Sequence, residues 1–165
     1  MAEEKLELRP VEATVVLCLA KTSALDEMPS FPKTYLGRIA PNEALLIAPP
    51  EKEEEIIQQA HAYLTREDPQ GLALSQTDAW TIWCLLGPYA DEALSRLSSI
   101  STGSSRPEFT QGMLASIGSK IITFSDRTCI MVSSNLGHHV HDRVMELCHD
   151  LEPSLMPPWT FGTST

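Results

Sequence analysis

Gly87-Pro88 divides the stretch from Leu72 to Leu97, LALSQTDAWTIWCLLGPYADEALSRL, into two segments that cannot share one kind of backbone. Ahead of it, the apolar run Ala79 to Leu86 carries Trp80, Ile82 and Trp83. These types fit a pleated, half-buried surface, and the run reads as a buried strand. Behind it, Pro88 suits the first helical position, where a missing N–H costs nothing, and Asp91 and Glu92 fall near the positive end of the dipole. The pattern predicts a helix that starts at Pro88 and buries Ala90, Ala93, Leu94 and Leu97.

The same plan occurs on either side. Tyr35 to Ile39 and Ala44 to Ala48 are short apolar runs separated by a turn at Pro41-Asn42, and Pro49-Pro50 opens a helix to about Leu64. Downstream, Lys120 to Phe124 and Thr128 to Ser133 flank the turn Ser125-Asp126-Arg127, and Ser134 or Asn135 caps a helix to about Leu151. Two hairpin-then-helix units around a central strand and helix predict an α+β fold of internally related halves, with antiparallel or mixed sheets, over a doubly wound parallel one. A chain of 165 residues is expected to form one domain, here residues 1–151, followed by an extended tail, 152–165. At that length folding buries roughly 70% of the unfolded surface. Ala24 to Lys33, with Pro29, Ser30 and Pro32, reads as a connecting loop.

Charge and cysteine usage exclude several classes of function. A net charge of −10 opposes binding to phosphate backbones, which relies on clustered Lys and Arg. The acidic run Glu51 to Glu55 fits the first turn of a helix better than a calcium loop, which needs oxygen ligands at alternate positions. The longest apolar run, Ala13 to Ala20, is far below membrane-spanning length, and Glu3, Glu4, Glu7 and Glu12 precede it where a signal peptide would be basic. A cytoplasmic location is therefore expected. Cys18, Cys84, Cys129 and Cys148 show no CxxC spacing, and read as buried, reduced thiols.

Catalytic spacings are missing from the chain. Gly112 to Lys120, GMLASIGSK, departs from a phosphate loop because a serine intrudes before the lysine. There is no G-x-G-x-x-G, G-x-S-x-G or HExxH, and the serines of Ser98 to Ser105 have loop composition with no base nearby. Four of the five histidines, His138, His139, His141 and His149, fall in one predicted helix. Its wheel places Leu136, Val140, Val144, Leu147 and Leu151 on an apolar stripe, and His138, His141, Asp142, Met145 and His149 opposite. One helix rarely completes a metal shell, so that face is expected to be solvated or covered by a partner, with no metal assigned. Trp159 and Phe161 lie beyond Pro153, Pro157 and Pro158, which rule out a continued helix. The two aromatics either fold back or dock on another chain.

Asp78-Ala79-Trp80-Thr81-Ile82 leading into Leu86-Gly87-Pro88-Tyr89-Ala90, with Glu92 to Leu97 behind, resembles the gamma subunit family of heterotetrameric sarcosine oxidase. It is similar, more distantly, to the folate-binding fold of the glycine-cleavage aminomethyltransferase. Leu36-Gly37 to Ala48, Phe109-Thr110-Gln111 with Leu114-Ala115, and Cys129 to Ser134 extend the resemblance over roughly residues 35–151. It implies two swapped strand-and-helix halves in a small subunit without flavin or catalytic residues. The larger partner chains would carry FAD, FMN and NAD, oxidise sarcosine, and pass the one-carbon unit to tetrahydrofolate.

The chain departs from those families between Ser98 and Pro107, where a polar run replaces the Asp-Leu-His-Pro-like segment. It also lacks the arginine-containing segment and the later Gly-Glu pair with which aminomethyltransferases handle folate and amine. The expectation is an accessory subunit of a sarcosine-oxidase-like flavoenzyme complex in one-carbon metabolism, with no catalytic, cofactor-binding or metal-ligating residue of its own. A stand-alone folate-type one-carbon binder, and a metal module on the histidine helix, are the alternatives.

Overall fold

Apolar side chains alternating along short segments, punctuated by Gly, Pro and Asn, produce strands throughout, and the structure, a computed structural model, describes residues 5–100 and 108–163. In chain order these are β1 (Glu7–Glu12), β2 (Thr14–Leu19), α1 (Thr22–Asp26), β3 (Tyr35–Ala40), β4 (Glu43–Ala48), α2 (Glu53–Glu67), β5 (Leu72–Ser75) and β6 (Trp80–Leu86). They continue with α3 (Ala90–Leu97), β7 (Phe109–Leu114), β8 (Ile117–Thr123), β9 (Arg127–Ser133), α4 (Gly137–Leu147), β10 (Ser154–Leu155) and β11 (Trp159–Thr160). The described chain packs as two units, one of residues 5–11 and 79–158, the other of 12–78 and 159–163.

In the second of these, strands run β3-β4-β2-β5, all antiparallel, with Val16 opposite Leu46 and Cys18 opposite Ala44. One face meets α2, whose Ile56, Ala60, Tyr63 and Leu64 pack with Val16, Cys18, Ala44 and Leu46. The Tyr63 hydroxyl donates to the Ala24 carbonyl at 2.7 Å, tying α2 to α1. Glu53, Glu54 and Glu55 occupy the first turn of α2, where the dipole favours them.

In the other unit the order is β10-β1-β6-β9-β8-β7, antiparallel except for the parallel pairing of β1 with β10. Ala93, Leu94 and Leu97 of α3 and Val140 and Val144 of α4 pack with Leu8, Leu85, Ile121, Ile130 and Val132. Arg96 reaches from α3 to the end of α4, donating to Asp150 and to the Leu147 carbonyl at 3.1 Å, a last-turn acceptor the helix leaves open. The start of α4 lies so close to β6 that a Cβ on Gly137 would stand 2.6 Å from Thr81 Cγ2, and the Trp83 indole N–H donates to the Gly137 carbonyl at 2.8 Å.

The α+β class with antiparallel and mixed sheets is as the sequence predicts, and several boundaries move. α3 begins at Ala90, because Gly87 and Pro88 form the turn before it and the Ala90 N–H donates to the Gly87 carbonyl at 3.1 Å. Ala90 itself is only half-buried. Leu72–Ser75 and Trp80–Leu86 are strands of different sheets separated by a 3-10 turn at Thr77–Ala79. The stretch read as a loop from Ala24 starts inside α1. Neither Ser134 nor Asn135 caps α4 with its side chain; they lie in a 3-10 turn, Ser134–Leu136, and α4 stops at Leu147 before a further turn at His149–Leu151. The tail is shared between the units: residues 152–158 join one and 159–163 the other. Of the serine cluster, 101–105 lie outside the described residues.

Candidate functional site

The Leu86-Gly87-Pro88-Tyr89-Ala90 segment does more than connect β6 to α3. With the β8–β9 turn it encloses a hollow of about 190 Å³ lined by Gly87, Pro88, Ala90, Asp91, Thr123, Ser125, Asp126 and Arg127, among others. The turn is closed by the Phe124 N–H donating to the Arg127 carbonyl at 2.9 Å. Arg127 is 7% exposed, and its guanidinium grips the Asp126 carboxylate with two bonds, Nη2 to Oδ2 at 2.7 Å and Nε to Oδ1 at 3.1 Å. Those bonds hold the Asp126 carboxyl below the usual carboxylate range. Clefts that house drug-sized ligands measure about 300–1,000 Å³; this hollow is smaller, and its cation is committed to its neighbour.

A second polar cluster surrounds Glu53. The Thr77 hydroxyl donates to Glu53 Oε1 at 2.8 Å, and accepts from the Val15 N–H at 3.0 Å and from the Thr14 hydroxyl at 3.0 Å. Ser75 also donates to Glu53. These bonds lower the Glu53 pKa, Ser75 contributing most. A carboxylate so supplied with donors is a weak base and an effective clamp, joining α2 to the ends of β2 and β5. A depressed folded pKa means that the stabilisation is present above the unfolded value, about 4.3, and is lost as pH falls through the folded one. Thr77→Val is expected to cost about 1–3 kcal/mol at pH 7. The difference from wild type should narrow near pH 3, as compared by urea midpoints at the two pH values.

The histidines do not converge. His138 and His149 are exposed, and His149 borders an open depression with Met145, Asp150, Glu152 and Pro153. His139 Nε2–H donates to the Ala115 carbonyl at 3.1 Å. His141, expected on the outward face, instead leans on Trp83, ring centres 5.8 Å apart, and its Nδ1 is 3.1 Å from Asp142 Oδ1. Among the described residues, no group of three or more His, Cys, Asp or Glu side chains is placed to hold a metal ion.

The aromatic tail folds back. Trp159 and Phe161 are 8% and 5% exposed, their rings 5.6 Å apart, and the Phe161 N–H donates to the Glu12 carbonyl at 2.9 Å. All four cysteines are free and buried. Sequence reading missed the Asp126-Arg127 grip and the Glu53 cluster. The first was hidden because Arg and Asp in a turn are ordinarily solvated, and the second because its hydroxyls come from residues far apart in sequence.

The chain shares its fold with a sarcosine oxidase chain and with an aminomethyltransferase. A chain of the heterotetrameric sarcosine oxidase from Corynebacterium sp. U-96, solved in complex with pyrrole 2-carboxylate, superimposes with TM-score 0.72 over 93% of this chain and 89% of that one, at 19% identity. The glycine cleavage system aminomethyltransferase T from Bartonella henselae matches with TM-score 0.67 at 9% identity, over 92% of this chain but 48% of its own length. No protein-family model matches the sequence, and no curated protein matches it. Among the described residues, no helix is long and apolar enough to cross a membrane.

Proposed function

We propose that the protein is a non-catalytic accessory subunit of a sarcosine-oxidase-like flavoenzyme complex, supplying assembly surface beside larger chains that carry the flavins and handle the one-carbon unit. The observation that carries this reading is the end-to-end match to a chain of the heterotetrameric oxidase, against a match to only half of the aminomethyltransferase. Sheet edges add support. Among the described residues, the exposed large apolar side chains, Leu72 and Leu74 on β5, Met113 on β7 and Leu155 on β10, lie on terminal strands of their sheets. The β7 edge is bridged at its end by Ser98, opposite Leu114, whereas the edges of β5 and β10 are open among the described residues, and open edges carrying apolar side chains are where another chain can pair.

The test is a tagged pull-down from the native host with intact-mass and flavin-absorbance readings. Larger flavin-bearing chains should co-elute at fixed stoichiometry. A colourless protein eluting alone would overturn the reading. Saturable binding of tetrahydrofolate to that lone protein would favour the stand-alone folate binder, to which the aminomethyltransferase likeness also lends support.

A further inference from the structure

Cys84 and Cys129 stand directly opposite each other on the antiparallel strands β6 and β9. Directly opposed residues of a ladder turn their side chains to the same face, and both cysteines are fully buried. Opposed residues in such a ladder have Cα atoms about 4.5 or 5.5 Å apart, inside the range of about 4.4–6.8 Å that a disulfide spans. Two arginines flank the pair, each beside a carboxylate, Arg9 with Glu7 and Arg127 with Asp126. Arg9 of β1 lies opposite Cys84 from the other side, and the Arg127 guanidinium is close enough to both thiols to feel their charge. Guanidinium groups beside the sulfurs disfavour a bound metal cation, so the pair suits sulfur–sulfur chemistry better than coordination.

We propose that Cys84 and Cys129 form a redox-active dithiol that is closed to a cross-strand disulfide by small, neutral hydroperoxides and is shielded from bulky oxidants. One thiolate attacks the peroxide O–O bond, which breaks, giving a sulfenic acid and releasing hydroxide. The second thiolate then attacks that sulfenic sulfur, expelling the hydroxyl group. Two thiols and one hydrogen peroxide become one disulfide and two waters, the sulfurs losing two electrons and the peroxide gaining them. Burial sets the selectivity. At rest the neighbouring Cys84 and desolvation push the Cys129 thiol up, so reaction waits for a local opening that admits hydrogen peroxide before it admits a tripeptide disulfide. Opposed Cβ atoms at about 4.5–5.5 Å must draw together to reach the disulfide spacing of about 3.5–4.5 Å, which leaves the bridge reducible. Cys18 and Cys148 lie outside this pairing and serve as internal controls.

The experiment exposes the full reduced chain to hydrogen peroxide or to oxidised glutathione, then denatures it in alkylating reagent for intact-mass and peptide mapping. With peroxide, the expected product has lost about 2 Da, yields a Cys84–Cys129 linked peptide, keeps Cys18 and Cys148 alkylated, and reverts with dithiothreitol. Oxidised glutathione should form the bridge at least tenfold more slowly. Oxidation of exposed Met113 to the sulfoxide shows that the peroxide dose was effective. If Met113 is oxidised while Cys84 and Cys129 remain alkylatable, or if the links join Cys18 or Cys148, the proposal fails. It fails equally if glutathione disulfide reacts as fast as peroxide. The wild-type chain alone decides these outcomes; Cys84→Ser should in addition abolish the linked peptide.

Discussion

Substituting alanine for Gly87 is expected to lower the unfolding free energy by at least about 2 kcal/mol, the sum of left-handed backbone strain and a backbone clash. Gly87 has φ +95°, and a Cβ there would lie 2.4 Å from the Lys5 carbonyl oxygen. That oxygen belongs to backbone, so no side-chain rotation relieves the contact. Lys5 leads directly into β1, whose Glu7 and Leu8 pair with Leu86 and Leu85, so relief would come at the expense of the β1–β6 ladder. The position also shapes the hollow between the β6–α3 turn and Arg127. Urea unfolding of the purified variant reads the effect as a lowered midpoint. A midpoint equal to that of wild type would contradict the strained turn.

Trp159→Ala and Phe161→Ala are each expected to cost about 3–5 kcal/mol, the range for deleting a buried aromatic side chain. Both rings are more than nine-tenths buried and pack on each other, and the Trp159 indole N–H donates to the Thr163 carbonyl at 3.1 Å. This separates the two fates the sequence left open. Were these aromatics partner anchors, the substitutions would weaken assembly and leave the isolated chain as stable as before. Because they are built into the fold, thermal or urea unfolding of the isolated variant should register the loss.

What was legible in the sequence follows from where each signal resides. β4 and α2 are visible because Ala44–Ala48 is apolar throughout and α2 repeats its apolar positions at helical spacing between a Pro-Pro start and an acidic first turn. β1 is hidden because Glu7–Glu12, ELRPVE, mixes charges with Pro10, and its hydrogen bonding comes from partners at 83–86 and 154–155. β7 is obscured in the same way by Gly112 and its polar neighbours. The tail offered two outcomes because large apolar groups after a proline run must be covered, and periodicity does not say by what. The Cys84–Cys129 opposition was beyond reach, since a one-residue slip of β9 along β6 would turn one thiol to the opposite face.

The order in which the chain visits its two units sets the order in which they can be finished during synthesis. The sheet of β3, β4, β2 and β5 is drawn wholly from residues up to Ser75, so it is complete in the nascent chain before β6 has been made. β1, although made before that sheet, waits for Leu85 to pair with Leu8 and, far later, for Leu155 on its other edge. A strand made before either sheet is complete is thus among the last to be enclosed. For most of translation Leu8 of β1 and Leu6 just ahead of it, fully buried in the finished fold, lack these partners, which makes the segment around β1 the point where a ribosome-bound intermediate of this protein is most exposed to mispairing.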